Sequence, residues 1–188
     1  SKRDFYILYT LVFGVIAGFI YYQFAGNGKS LVWSHDGIPQ HLNSLAYYGR
    51  YLREVLHTIF VEHKLELPMW DMNIGYGSDI LTTLHYYVIG DPLTLLSVFV
   101  PASKTEALYA FLIFLRIYLA GIAFSRYSFY HKNSKQATFM GTMIYIFAGW
   151  TIYAAMKHPY FSNPMIYLPL ILLGIDKIYK KQKPYVFI

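Results

Sequence analysis

Three kinds of side chain in the first hundred residues have types and spacing that could do chemistry. Asp36, in "HDGIPQ", is a carboxylate followed by a glycine that lets backbone approach a ligand, and Gln40 stands four residues on. Such an acid can act as a general base. Arg50 and Arg53 are three residues apart, hence near one face of a helix, and the guanidinium fork matches phosphate oxygens bidentately. Trp70, Tyr76, Tyr86 and Tyr87 offer flat faces that could stack on a sugar ring, and Asp91, in "YYVIGDP", is a second acid. Each has an ordinary reading beside the chemical one. Asp36 could cap a helix beginning near Pro39, the arginines could anchor an interfacial helix to lipid headgroups, the aromatics could form a membrane-interface belt, and Asp91 could be Asp-Pro turn chemistry.

Other motifs narrow the chemistry. His35, His41, His57, His63 and His85 show no zinc-binding spacing such as H-E-x-x-H. No G-x-S-x-G stands for a serine hydrolase. "NIGYGSD" is glycine-rich but matches no nucleotide-binding loop, so it reads as a tight loop. The absence of cysteine removes disulfides and thiolate metal sites.

The elements that must position these residues are mostly apolar. Of the 188 residues 56% are hydrophobic and only 14% charged, against about 25% charged in soluble domains. The deficit comes from long apolar runs, which point to a membrane protein. Four segments fit transmembrane helices, near 5–25, 107–127, 137–156 and 161–178. Pro164 and Pro169 lie in the last, where they are tolerated if neighbours satisfy the freed carbonyls. The first segment is too long for a cleaved signal's apolar core and lacks a small-residue cleavage site after it. Ser1 in place of Met, and an apolar run opening at "KPYVFI", read as the N-terminal portion of a longer chain.

Basic residues flank these spans asymmetrically. Lys2, Arg3, Arg126, Lys132, Lys135, Lys177, Lys180, Lys181 and Lys183 fall on one side with Asp4 and Asp176, which the positive-inside rule makes cytoplasmic. Residues 26–106, with five basic and eight acidic residues, then form a long outer loop, and "KHPYFSN" is a short outer turn carrying His158 and Asn163. The net charge of +6 is explained by this distribution, so no nucleic-acid partner is expected. Within the loop, Leu42, Leu45, Ala46, Leu52, Val55, Leu56 and Ile59 follow a helical period, which predicts an amphipathic helix over part of 38–60 lying on the outer face. "ILTTLHYYVIG" reads as a second short interfacial helix, and "DPLTLLSVFVP" is too short to span. Arg116 lies inside the second span, where a charge must face a polar interior or a partner.

Taken in order, "HDGIPQH", "LPMWDMNIGYGSD", "HYYVIGDPLTLL" and "HPYFSNPMIYLPLILLGIDK" resemble the N-terminal part of the YfhO family of bacterial membrane proteins. The matching positions are Asp36, Gly37 and Gln40; Trp70, Gly75 and Gly77; Tyr86 and Tyr87; and Asp91 and Pro92. The resemblance covers nearly the whole chain. It implies an all-α polytopic membrane protein: a GT-C-like N-terminal module with about four transmembrane helices and a long outer loop bearing interfacial helices. It also implies a glycosyltransferase of the bacterial cell membrane, taking sugar from a polyprenyl-phosphate donor to a cell-envelope polymer such as lipoteichoic acid, and the charge asymmetry puts the N-terminus in the cytoplasm. Asp36 is the position that matches the superfamily's catalytic acid.

The residues fit that implication. A sugar leaving a lipid phosphate needs a base for the acceptor hydroxyl and cations for the departing phosphate. Asp36 supplies the first and Arg50 or Arg53 the second, with Gln40, Trp70, Tyr86, Tyr87, Asp91 and His158 as further substrate contacts. Asp36 and Asp91 could share a divalent cation through oxygen ligands, and metal dependence stays open at this point. A transporter or flippase of the same lipid-linked sugar or polymer is the alternative, and a non-catalytic membrane scaffold is a third reading.

Overall fold

The computed structural model describes residues 1–185, so the part of the expected C-terminal apolar run at 186–188 lies outside the described residues. The chain is mostly helical and divides into two compact units, Ser1–Leu31 with Ile113–Ile188, and Val32–Leu112.

The first unit contains α1 (Lys2–Ala25), most of α4 (Thr105–Tyr130), α5 (Lys135–Ile146), α6 (Gly149–Lys157) and α7 (Asn163–Tyr179). Helix α1 buries Phe5, Tyr9, Phe13 and Ala17, a stripe with a period of four. Its other faces leave Ile7, Leu11, Val15 and Phe19 exposed, the surface a lipid-facing helix presents. The stripe packs on α4: Tyr9 and Tyr118 stack at 5.2 Å, the Tyr9 hydroxyl donates to the Tyr118 carbonyl at 2.8 Å, and Thr10 meets the Tyr118 hydroxyl at 2.9 Å. Gly121 makes room for the Tyr9 ring, which any Cβ there would strike.

Helices α1 and the α4 region (Ala102–Tyr130) are each long and apolar enough to cross a membrane, and α5 with α6 makes a third span if their 43° bend lies within one crossing. The bend comes at Phe147 and Ala148, which leave helical geometry, with ψ of 146° at Ala148. The Thr151 hydroxyl donates to the Tyr145 carbonyl at 3.1 Å, across the break. The fourth expected span is α7, whose 17 residues reach about 26 Å, at the lower limit for a crossing. Pro169 lies inside it and cannot donate to the Met165 carbonyl four residues back. The Tyr145 hydroxyl does so instead, at 3.0 Å, which is how an apolar bundle tolerates an internal proline.

The Val32–Leu112 unit is built on α2 (Asn43–Phe60), entered through a π-helical turn at Gly37–Leu42 in which the Asp36 carbonyl accepts from both Gln40 and His41. Helix α2 falls within the 38–60 stretch where part was expected to be helical and buries Leu45, Tyr48, Gly49 and Val55 on one stripe, of which Leu45 and Val55 were among the expected apolar positions, while Leu56 is exposed. That stripe packs on a 3-10 helix at Pro92–Phe99. The approach is close because residue 49 is glycine: a Cβ there would stand 2.6 Å from the Ser97 carbonyl oxygen. Between them come a hairpin of β1 (Trp70–Asp71) and β2 (Ser78–Asp79), paired antiparallel with Trp70 opposite Asp79, and the short α3 (Ile80–Leu84), which Asp79 caps at Thr82 N–H. The expected tight loop is the turn of this hairpin. Gly75 and Gly77 have φ of 51° and 106°, and a Cβ on Gly77 would meet Met72 and the Trp70 indole.

Candidate functional site

All but one of the expected site residues belong to the Val32–Leu112 unit. Asp36 stands at the mouth of the π-helical turn, half-buried, and makes no capping hydrogen bond through its side chain. The turn's geometry carries Gln40 back over it instead. Gln40 Nε2 donates to Asp36 Oδ1 at 3.1 Å, and the Tyr87 hydroxyl donates to Gln40 Oε1 at 2.8 Å. The amide therefore links the acid to a tyrosine 47 residues further along the chain. Tyr87 is held in turn by an edge-to-face contact with the buried His41 ring at 5.6 Å and another with Tyr86 at 5.0 Å. Partial burial of the Tyr86 ring pushes its phenol above the usual value, and Tyr87 and the Asp36 charge push the same way. Gly37 is buried here, with Val32 and Trp33 so near that a Cβ would sit 3.1 Å from the Val32 side chain. The glycine thus serves close local packing.

A second polar group gathers on α2 and the hairpin. The Tyr47 hydroxyl donates to Asp71 Oδ2 at 2.6 Å, and the Arg50 guanidinium lies over the Tyr47 ring at 5.2 Å. Arg50 is exposed, and Glu54 at 3.9 Å is a long, solvent-screened ion pair. The Tyr47 hydrogen bond, seconded by Asn73 backbone N–H, holds the Asp71 carboxyl below the usual carboxylate range. Burial, then the Asp71 carboxylate, drives the Tyr47 phenol upward. Trp70 leads into this hairpin with its ring largely exposed and its indole N–H directed to Met72 Sδ at 3.4 Å.

Two expected ligand contacts hold backbone. Arg53 Nη1 donates to the carbonyls of Ser97, Val98 and Val100 at 3.0, 3.3 and 2.8 Å, tying the end of the 3-10 helix to α2. Arg50 and Arg53 are therefore unequal candidates for phosphate. Asp91 is buried and caps the 3-10 helix, its Oδ1 accepting from Leu93 N–H at 3.0 Å, as its Asp-Pro turn reading requires. Among the described residues no group of three His, Asp or Glu side chains could hold a metal ion. Asp36 Oδ1 already accepts from Gln40 Nε2 and Asp91 Oδ1 from Leu93 N–H.

His158 lies in the other unit, where its ring leans on Phe161 at 5.0 Å. Arg116, 2% exposed, finds its partners there too: Nε donates to Asn163 Oδ1 at 3.0 Å and the guanidinium faces the Tyr160 ring at 5.2 Å.

Sequence reasoning missed the Tyr47–Asp71 pair and the part His41 plays behind Tyr87. Neither has a local signature. Tyr47 and Asp71 are 24 residues apart and meet only because the hairpin folds back onto α2.

A family model described as "Bacterial membrane protein YfhO" matches residues 8–188, and the chain belongs to that family. Comparison with curated proteins and with solved structures finds no match in either.

Proposed function

We propose that this YfhO-family membrane protein is a glycosyltransferase that moves a sugar from a polyprenyl-phosphate donor to a cell-envelope polymer, such as lipoteichoic acid, on the outer face of the bacterial membrane. The family is associated with glycosyltransferase-like membrane proteins. The observation that carries the reading to residues is the Tyr87–Gln40–Asp36 hydrogen-bond chain, in which three expected site residues meet without serving as a helix cap.

In this reading Asp36 takes the proton of the acceptor hydroxyl as its oxygen bonds to the anomeric carbon and the bond to the lipid phosphate breaks. Gln40 fixes the carboxylate by donating to Oδ1, and Tyr87 fixes Gln40 by occupying its carbonyl oxygen, so the amide cannot rotate away. Arg50 is the preferred cation for the departing phosphate, because Arg53 is committed to three carbonyls. Trp70, Tyr86 and Tyr87 offer ring faces for the sugar, and His158 remains a proposed contact. Residues 26–106 face outward in this scheme, and α7 completes four crossings with the N-terminus inside.

A transporter would be favoured by polar residues within several spans, and Arg116 is the one clear intramembrane charge in the sequence. Arg116 has Asn163 and Tyr160 as partners within its own unit, which accounts for that charge by packing. Transfer from a radiolabelled polyprenyl-phosphate sugar in proteoliposomes tests the proposal. Wild-type protein should transfer label to an added acceptor polymer, and Asp36→Asn should lower the rate by about a hundredfold or more, the scale of general-base catalysis. Lipid flipping without transfer would make the protein a transporter, and near wild-type transfer by Asp36→Asn would remove Asp36 as the base.

A further inference from the structure

One end of three apolar helices carries a polar feature that sugar transfer does not use. In the unit Ser1–Leu31 with Ile113–Ile188, a cavity of about 590 Å³ opens where α1, α4 and α7 meet. Lys2 lines it from the start of α1, Arg126 from the last turns of α4, and Lys177 from the last turn of α7. Tyr118, Ile122 and Leu173 continue the wall along the helices toward their apolar middle. The volume is that of a small-molecule site.

Among the described residues that line this basin, none is an acid. The two carboxylates nearest in sequence are engaged elsewhere: Asp4 by the Ser1 amino group, and Asp176 by His131 Nε2 at 2.9 Å. Lys2 lies over the Phe129 ring at 5.6 Å, and Lys177 Nζ donates to the Tyr185 carbonyl at 2.7 Å, contacts that position both ammonium groups without neutralising them. The walls are fixed, since Tyr118 is tied to α1 through Thr10 and its backbone carbonyl accepts from Tyr9. Three basic side chains on a firm frame, above an apolar wall, at the ends of α1, α4 and α7, complement a phosphate that carries hydrocarbon.

We infer that this basin binds the phosphate headgroup of an anionic membrane lipid, with an acyl chain running along Ile122 and Leu173. A lipid is the source, rather than a soluble phosphate, because the cations stand at helix ends, where a bilayer puts its headgroup phosphates, and because the wall below them is apolar.

The test uses the full-length protein in detergent, with native mass spectrometry to count retained lipid and thermal unfolding as a second measure. The probes are phosphatidylglycerol, phosphatidylcholine and glycerol 3-phosphate. Wild-type protein should retain phosphatidylglycerol and be stabilised by it, with little response to the other two. Arg126→Gln and Lys177→Gln should each lower retention about fivefold, while Lys29→Gln, outside the basin, should not. Should Arg126→Gln fail to fold, Lys177→Gln decides alone, since that side chain reaches solvent. Equal stabilisation by glycerol 3-phosphate would overturn the lipid assignment. Equal retention of phosphatidylcholine, or unchanged retention in Lys177→Gln, would overturn the site.

Discussion

In the unit Ser1–Leu31 with Ile113–Ile188, polar side chains close gaps left by helices. Tyr145 covers the carbonyl that Pro169 orphans, Thr151 bridges the break before α6, and Asn163 answers Arg116. In the Val32–Leu112 unit the same residue types divide into two sorts. Arg53 and Asp91 hold backbone groups and fix a 3-10 helix against α2. Asp36, Gln40 and Tyr87 hold one another, and Arg50 stands exposed over Tyr47. Residue type alone does not separate architecture from chemistry in this chain, and the partner does. A side chain bonded to backbone is part of the frame, and a side chain bonded to other side chains at a half-exposed position is a candidate for function.

The largest expected effect sets Asp36 against Asp91. Asp36→Asn should lower transfer by about a hundredfold or more yet leave thermal unfolding nearly unchanged, since the carboxylate makes no cap. Asp91→Ala should do the reverse in kind, with loss of about 0.5–2 kcal/mol of stability from the missing cap and transfer per folded molecule retained. Unfolding curves and transfer rates on the same preparations would show whether the two acids separate in this way. A stability loss in Asp36→Asn as large as in Asp91→Ala would erase the distinction.

The two arginines sharpen it. Arg53→Ala removes the donor to three carbonyls and should cost about 2–3 kcal/mol, visible as a lower midpoint in thermal unfolding. Arg50→Ala breaks a long exposed ion pair and should change stability by less than about 0.5 kcal/mol while raising the donor concentration needed for half-maximal transfer. The comparison fails if Arg50→Ala leaves donor dependence untouched and Arg53→Ala alters it.

These contrasts also mark what the sequence could and could not reveal. Helices α1 and α4 were legible as long apolar runs and α2 by its periodicity, and the Asp-Pro turn reading of Asp91, offered beside the substrate-contact one, was available because capping is local. The bend at Phe147 and Ala148 was not legible, since no proline marks it and two residues leaving helical geometry make no composition signal. The backbone contacts of Arg53 could not be read from the sequence, because the carbonyls that its Nη1 meets lie 44 to 47 residues away, on a segment brought to α2 by Gly49. The π-helical turn that brings Gln40 over Asp36 was equally hidden, although the four-residue spacing of the two was seen.

A smaller effect probes the first unit. Tyr145→Phe leaves the Met165 carbonyl without its donor at the Pro169 site and should cost about 1 kcal/mol, measured by thermal unfolding in detergent. Combining it with Pro169→Ala, which returns a backbone N–H, should recover most of that loss. Equal destabilisation with and without the proline would mean that Tyr145 stabilises α7 through its ring alone, and the reading of polar side chains as gap closers would lose its clearest case.

The smallest expected effect concerns pH and the Tyr47–Asp71 pair. The hydrogen bond holds the Asp71 carboxyl below its unfolded value of about 3.9, so the folded state binds that proton less readily than the unfolded chain. Its contribution is therefore present in full above that value and is lost as pH falls through the lowered one. Tyr47→Phe should weaken the hairpin at neutral pH, where the contribution is present in full, and move its acid-side loss to higher pH, because Asp71 then protonates less far below the usual range. Trp70, adjacent to Asp71 and largely exposed, reports on the hairpin by fluorescence once Trp33 and Trp150 are replaced by phenylalanine. An acid transition that stays at the same pH in Tyr47→Phe would show that the hairpin is held by its glycine turn and strand pairing, and that Asp71 belongs with the exposed, unconstrained acids. A shift would place the pair with the side-chain-to-side-chain group, beside Arg50, where the sugar-phosphate donor is proposed to bind.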